Sequence, residues 1–203
     1  MSDVFQNAAY EYQKLLNTQY NFIVGYKGKE FHICLNFSKD EFHHLAGLQY
    51  LNDIRYIRRT TRSEVFDKIC QGEIDDKYLS KSTRYRDVLQ RVSDVKNLEK
   101  FLDGDEVVFK FRKKADPNSK ISADFILKNR SADLNTYFFI QKKSDETYFG
   151  KSIFSRDLRK KDYTLGHTKC ALLYKEKVDL KTNKKQILYV NPSYKSYNGG
   201  IKK

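Results

Sequence analysis

Hydrophobic residues along the chain change their spacing close to residue 105. Before that point they recur every three or four positions, as Phe42, Leu45 and Leu48 do, which is the period of an amphipathic helix. From Asp105 onward they alternate with polar residues, which is typical of half-buried strands. Helices followed by strands with short connections predict an α+β fold whose sheet is mostly antiparallel.

The part before residue 105 is predicted to contain four helical segments and one β-hairpin. The helices are expected at Ser2–Asn17, Lys39–Asn52, Ser63–Gln71 and Tyr78–Gly104, with Gly72 ending the third and a break in the fourth at Ser93–Asp94. The hairpin is expected to have strands Tyr20–Tyr26 and Glu30–Phe37, with a turn at Lys27-Gly28-Lys29. Because His32 alternates with Phe31 and Ile33, we expect a surface histidine.

Six strands are predicted after Gly104: Asp105–Lys114, Ile121–Asn129, Asn135–Lys143, Thr147–Arg156, His167–Val178 and Lys185–Val190. Turn-forming residues separate them, including Asp116-Pro117-Asn118 and Ser144-Asp145-Glu146. We therefore expect one domain over residues 1–192, with a helical half (1–104), an antiparallel sheet half (105–192) and a polar, basic tail (193–203).

The predicted helix from Lys39 carries two adjacent histidines. On a helical wheel of about 100° per residue, His44 lies within the apolar arc that includes Leu48 and Leu51, whereas His43 points to the polar side. Gly47 is expected in mid-helix, where it would permit close approach of another backbone. Either His44 is a hydrogen-bonded core histidine, or it is a proton-transfer group in a cleft.

The charge of the chain indicates a polyanionic partner. The 203 residues include 39 Lys plus Arg against 26 Asp plus Glu, which gives a net charge of +13 and a pI near 9.5. Fifteen Tyr and 14 Phe residues could stack on bases. We expect RNA or single-stranded nucleic acid as a partner, although an ordinary basic globular protein is the alternative. The candidate phosphate-binding residues are Arg55, Arg58, Arg59 and Arg62.

Cysteine and histidine usage favours neither a disulfide framework nor a metal site. Cys34, Cys70 and Cys170 are isolated and odd in number. Adjacent histidines on a helix diverge by about 100° and do not readily share a metal. We expect no metal and no cofactor. No stretch approaches the roughly 18 apolar residues of a membrane span, and no signal peptide is evident, so the expected location is the cytoplasm.

The segment Phe42-His43-His44-Leu45-Ala46-Gly47-Leu48 resembles the F-x-H-L-x-G-L signature of a phage-associated nuclease family. This family belongs to the barnase–EndoU–colicin–RelE-like (BECR) group, and the resemblance spans roughly Leu16 to Val190. It implies helices before a curved antiparallel sheet. It also implies metal-independent RNA cleavage, in which a base removes the 2′-hydroxyl proton and cations stabilise the phosphoryl oxygens.

Six residues are candidates for this chemistry. His44 and His167 would transfer protons, Lys151 and Arg156 would stabilise charge, and Ser152 and Tyr163 would donate hydrogen bonds. Strand alternation places Ser152 and Arg156 on one face of the sheet and Lys151 on the other, unless a bulge intervenes. A surface role in the sheet is the alternative for Ser152 and Arg156. His167 stands where the family would lead one to expect an amide.

The sequence leaves three functions open. The first is a phage- or prophage-related ribonuclease, toxic or directed against the host and acting in the host cytoplasm, with a cognate inhibitor as a further partner. The second is a non-catalytic basic phage protein that binds nucleic acid or inhibits a host ribonucleoprotein defence complex. The third is a structural or scaffolding phage protein whose charge keeps it soluble.

Overall fold

The computed structural model describes residues 3–115, 117, 119–144 and 146–194. Over these residues the helices are α1 (Val4–Leu15), α2 (Lys39–Leu45), α3 (Arg55–Arg59), α4 (Arg62–Gln71), α5 (Asp76–Leu79), α6 (Tyr85–Lys96) and α7 (Leu98–Asp103), with 3₁₀ turns at Leu48–Tyr50 and Lys113–Ala115. Asp3 caps α1 by accepting a hydrogen bond from the amide of Gln6 at 2.7 Å. The predicted cap, Ser2, lies outside the described residues.

The strands are β1 (Thr18–Tyr26), β2 (Lys29–Leu35), β3 (Val107–Lys110), β4 (Phe125–Arg130), β5 (Leu134–Ser144), β6 (Thr147–Asp157), β7 (Thr168–Lys169), β8 (Ala171–Asp179) and β9 (Lys185–Val190). They form one curled sheet in the order β7-β3-β4-β5-β6-β2-β1-β8-β9. The predicted α+β class and the N-terminal hairpin are confirmed. The sheet is mixed, because β2 pairs parallel to β6 while the other neighbours pair antiparallel.

One stretch of chain forms two strands that lie near opposite ends of this order. Its first part, β7, pairs with β3, and its second part, β8, pairs with β1. Between them the amide of Cys170 donates to the carbonyl of Val108 at 2.8 Å. The stretch from Thr168 to Asp179 therefore curls the sheet into a half-barrel and brings strands from the two halves of the sequence together.

The helices pack on one face of the sheet and bury the main core. Phe42 of α2 lies at its centre, with its ring centroid 5.1 Å from that of Phe66 and 5.4 Å from that of Tyr12. A smaller aromatic cluster covers the other face, because Tyr137 and Phe139 point away from the helices while Phe138 points toward them. Helices α2 and α6 both pack against β6, so this strand is the floor on which candidate residues can meet.

A buried ion pair joins the helical layer to β8. Lys175 Nζ lies 2.9 Å from Glu106 Oε2, and both side chains are buried. The same ammonium donates to the carbonyls of Leu102 at 3.1 Å and Gly104 at 2.5 Å. Because these carbonyls belong to the end of α7, Lys175 satisfies acceptors that the helix itself leaves unpaired.

Three predicted helix boundaries are wrong. The helix expected to start at Tyr78 starts at Tyr85, after the separate short helix α5 ends at Leu79. The helix expected to reach Asn52 ends at Leu45, because Gly47 adopts a left-handed conformation with φ of 79° and starts the 3₁₀ turn that follows. Gly47 is therefore a helix end and not a mid-helix residue. The break expected at Ser93–Asp94 lies instead at Asn97, between α6 and α7. The end of α4 at Gly72 is confirmed.

Of the remaining predictions, the surface position of His32 is confirmed. Parts of two predicted turns, Asp116 with Asn118 and Asp145, lie outside the described residues. The three cysteines are free thiols. None of the helices in the described part of the chain is long and apolar enough to cross a membrane.

Candidate nucleic-acid site on helix α2

Helix α2 presents its two histidines in the opposite way to that predicted. His43 is only 8% exposed, whereas His44 is half-buried. The prediction that His43 is a solvated side chain is therefore wrong. It treated Leu48 and Leu51 as part of the helix, although the chain leaves the helical path at Gly47 and these leucines do not define the buried side of α2.

His44 is a neutral imidazole in a positively charged setting. Partial burial lowers its pKa first, and the nearby charges of Arg62 and Lys151 lower it further. Both cations are exposed. Since a cation close to an imidazole disfavours its protonated form, His44 is unprotonated at neutral pH and is able to accept a proton.

His43 is a second neutral imidazole, held deeper in the protein. Burial lowers its pKa to about 4, with smaller contributions from His44 and Arg62 and an opposing effect of Asp40. The rings of His43 and His44 meet edge to face, with centroids 5.9 Å apart and planes at 85°. Arg62 is thus close to both histidines.

A bulge in β6 sets the position of Lys151 near His44. Phe139 pairs with Ser152 and Ile140 pairs with Gly150, so Lys151 is an extra residue without a direct partner across the ladder. The bulge that the sequence analysis required for Lys151 and Ser152 to lie together is therefore present. Lys151 is exposed beside His44, while Ser152 is buried.

Ser152 is bound by an arginine of α6. Arg91 Nη1 donates to Ser152 Oγ at 3.3 Å and to the carbonyl of Ile153 at 3.1 Å. The same guanidinium lies over the ring of Tyr50, 5.5 Å from its centroid. Its aliphatic part packs on Gly47, where a Cβ would be 3.0 Å from Arg91 Cδ. Arg91 therefore ties the end of α2 to β6.

The other candidates gather in a separate cluster. The ring of His167 stacks between those of Phe111, at 5.0 Å and 24°, and Tyr163, at 5.9 Å and 13°. Its Nδ1 accepts from the amide of Arg112 at 3.0 Å. Arg156 lies over the Tyr163 ring at 5.1 Å. This is an aromatic and basic surface on the side of the sheet away from the helices.

The structure thus divides the six candidates into two groups. His44, Lys151 and Ser152 lie at α2 and β6, while His167, Tyr163 and Arg156 lie in the second aromatic cluster. Ser152 and Arg156, which strand alternation places on one face of the sheet, have different partners: Ser152 contacts Arg91, and Arg156 contacts aromatic rings.

The arginine run is also divided. Arg58 and Arg62 line a cavity with His43, whereas Arg55 and Arg59 are exposed elsewhere on α3 and at its end.

Sequence reasoning missed Glu41, which lies one helical turn before His44 and on the same side of α2. Burial raises its pKa to about 7, against opposing effects of Ser38, Lys143 and the backbone of Gly150. Ser38-Lys39-Asp40-Glu41 has the S-x-x-E pattern of a capping box, and the hydroxyl of Ser38 donates to Glu41 Oε1 at 3.1 Å. The i, i+3 spacing to His44 was the signal that could have identified it.

One known protein family matches the chain. The profile of the family described as phage-Barnase-EndoU-ColicinE5/D-RelE like nuclease4 matches residues 5–191. The match covers nearly the whole chain, and the chain belongs to this phage-associated, nuclease-like family. No curated protein matches the chain. No solved structure matches it either.

Proposed function

We propose that this protein is a metal-independent ribonuclease in which His44 is the general base. The observation that carries the proposal is His44, a half-buried imidazole on α2 whose pKa is lowered by burial and by the nearby charges of the exposed Arg62 and Lys151. A neutral base next to two cations suits a reaction that removes a proton close to a phosphate. Membership of a nuclease-like family supports nucleic acid as the substrate.

In the proposed reaction, His44 takes the proton from a ribose 2′-hydroxyl. The 2′-oxygen attacks the adjacent phosphorus, the bond from phosphorus to the 5′-oxygen breaks, and a 2′,3′-cyclic phosphate forms. Arg62 and Lys151 stabilise the negative charge that develops on the non-bridging oxygens. The leaving 5′-oxygen receives a proton from a general acid, and His44 releases its own proton afterwards.

Glu41 is the group that we assign as this acid. Its pKa of about 7 leaves a large protonated fraction at neutral pH, while the lowered pKa of His44 keeps the imidazole unprotonated. Two titratable groups whose environments shift their pKa values in opposite directions are suited to complementary acid and base roles. Glu41 and His44 lie one helical turn apart on α2. Glu41 is close to Gly150 and His44 is close to Lys151, which are successive residues of β6.

The direct test is cleavage of end-labelled RNA in the presence of EDTA. Wild-type protein should produce fragments that end in a 2′,3′-cyclic phosphate, and His44→Gln should lose most of this activity while keeping its melting temperature. The matched control is His32→Gln, since His32 is exposed on β2. Absence of cleavage of structured, single-stranded and ribosomal RNA by the wild type would refute the enzyme proposal.

One observation favours a second function, that of a non-catalytic binder of RNA or of a host ribonucleoprotein. His167, the other histidine nominated for proton transfer, lies in the aromatic cluster and not beside His44. That cluster joins Arg156 to the rings of Phe154 and Tyr163, and aromatic–arginine surfaces bind bases by stacking. In the same assay a pure binder would protect RNA stoichiometrically without cutting it.

A further inference from the structure

A cavity of about 240 Å³ lies beside His43, the neighbour of His44 on α2. Its lining residues are His43, Leu48, Gln49, Asn52, Ile57, Arg58, Thr60 and Arg62. Ligand pockets in proteins span about 300–1,000 Å³, so this cavity is small and suits one nucleotide base better than a longer segment. Its inner part is formed by the buried His43, Leu48 and Ile57.

Two polar atoms at this cavity are buried without a hydrogen-bond partner among the described residues. They are Nδ1 of His43, whose side chain is 92% buried, and Oε1 of Gln49. The amide nitrogen of Gln49 is already engaged, because Nε2 donates to the carbonyl of His44 at 3.4 Å. Buried polar groups in folded proteins are normally hydrogen-bonded, so these two atoms indicate a site built for a polar ligand.

The charged residues of the cavity lie at its exposed side. Arg58 and Arg62 are both exposed, while His43 is buried. Arg62 also influences the pKa of His44. A phosphate held by Arg62 would therefore lie near His44 and also at the entrance of the cavity.

We propose that this cavity is a base-specificity subsite that holds one nucleobase of the substrate RNA, with the attached phosphate at Arg58 and Arg62. This inference rests on the proposed ribonuclease function for its substrate, and it adds which part of the chain reads the base. The buried ring of His43 and the side chains of Leu48 and Ile57 supply the flat and apolar surfaces that a base requires.

The free acceptor of Gln49 selects the kind of base. A carbonyl oxygen accepts a hydrogen bond from an exocyclic amino group, which adenine carries at N6 and cytosine at N4. The neutral imidazole of His43 offers one donor and one acceptor for the neighbouring ring nitrogen. Uracil has carbonyl oxygens where those bases carry the amino group, and these would face the oxygen of Gln49. We therefore expect adenine or cytosine to be preferred over uracil.

The test is calorimetric titration of the full chain with AMP, CMP, UMP and inorganic phosphate, none of which can be cleaved. AMP or CMP should bind at least about tenfold more tightly than UMP, which is the effect of one well-placed hydrogen bond. Inorganic phosphate should bind more weakly than either. On addition of the preferred nucleotide, the NMR signals of the His43 ring in the wild-type protein should shift, and this measurement needs no variant.

Substitutions test whether the nucleotide binds in this cavity. Gln49→Leu should remove the preference over UMP, and Arg58→Ala should weaken all the nucleotides. Arg86→Ala removes a comparable exposed charge on α6 and should leave binding unchanged. Thermal melting of each variant checks that it is folded.

The outcomes separate this inference from the proposed function. RNA cleavage by a protein that binds no mononucleotide would overturn the subsite and leave the ribonuclease standing. Equal affinity for phosphate and nucleotides would show an anion site only and would also overturn it. Nucleotide binding that depends on Gln49, in a protein that never cuts RNA, would support the subsite and remove the enzymatic function.

Discussion

The rings of His43 and His44 lie 5.9 Å apart with their planes at 85°, so two neighbours on one short helix face different surroundings. His43 points into the arginine-lined cavity, and His44 lies beside Lys151 on the bulge of β6. Both rings are neutral at pH 7, because burial lowers the pKa of each. We therefore propose different roles for the two rings, proton transfer for His44 and binding for His43.

The two roles predict different kinetic effects for the same substitution. His44→Gln should lower kcat for RNA cleavage by about 10²- to 10⁴-fold, which is typical for loss of a positioned general base. His43→Gln should raise KM and leave kcat within a few-fold. Steady-state rates and melting curves of both variants check this. Equal kcat values in two folded variants would contradict the assignment of His44.

The pH dependence of cleavage should follow from Glu41 and His44. The active form has His44 unprotonated and Glu41 protonated. The rate should therefore rise as pH exceeds the lowered pKa of His44 and fall above about pH 7, where Glu41 ionises. Glu41→Gln should reduce the rate and remove the fall above pH 7. An unchanged alkaline limb in that variant would exclude Glu41 as the acid.

Acid should destabilise the fold through His43. Its pKa falls from 6.5 to about 4 on folding, so the unfolded chain binds the proton more readily between these values and stability is lost as pH decreases through this range. This difference corresponds to at most about 3 kcal/mol, and solvent that reaches the ring reduces it. Protonation of Glu41 and Glu106, whose pKa values are raised to about 7, acts in the opposite direction over the same range. The contribution of His43 is therefore measured as the difference between the wild type and His43→Gln in urea unfolding at pH 7 and pH 4. His43→Gln should show a smaller loss over the same interval, whereas His32→Gln should behave as the wild type.

Removing one member of the buried Lys175–Glu106 pair should be costly. Lys175→Met leaves the Glu106 carboxyl and two helix carbonyls without their donor, and loss of one partner of a buried pair typically costs about 3–5 kcal/mol. Burial already raises the pKa of Glu106 to about 7, so that residue would be protonated in the variant. The double variant Lys175→Met/Glu106→Leu should be less destabilised than Lys175→Met alone, as measured by urea unfolding.

Gly150 should be intolerant of a side chain because Phe138 of β5, and less closely Leu45 of α2, pack against it. A Cβ there would lie 2.8 Å from Phe138 Cζ and 3.3 Å from Leu45 Cδ1. Gly150→Ala should therefore cost about 1–3 kcal/mol, as overpacked core substitutions do. Gly25→Ala is the control on β1, where a Cβ would meet Leu173 and Ala171 at ordinary distances of 3.6 and 3.7 Å. Similar melting temperatures for the two variants would contradict the close packing.

Local patterns in the sequence predicted most of the elements, and distant pairings decided what the patterns could not. The strand at Lys185–Val190 and the end of α4 at Gly72 follow from alternation and from a glycine stop. The parallel pairing of β2 with β6 has no local signal. The role of Arg91 has no local signal either. An arginine on a helix is usually solvated, and the contact of Arg91 with Ser152 joins residues 61 positions apart. The placement of His43 was wrong because one glycine moved the helix end.

The pairing of β1 with β8 constrains the order in which the sheet can form during synthesis as well as its final structure. Tyr20 lies opposite Lys177, and Thr18 lies opposite Asp179, so one neighbour of the N-terminal hairpin is synthesised long after the hairpin itself. The other neighbour, β6, is also a late strand. Sheets dominated by such distant pairings fold slowly. Helix α2 therefore cannot pack against a finished sheet until β6 and β8 have been synthesised, and its two histidines reach their final surroundings only after that.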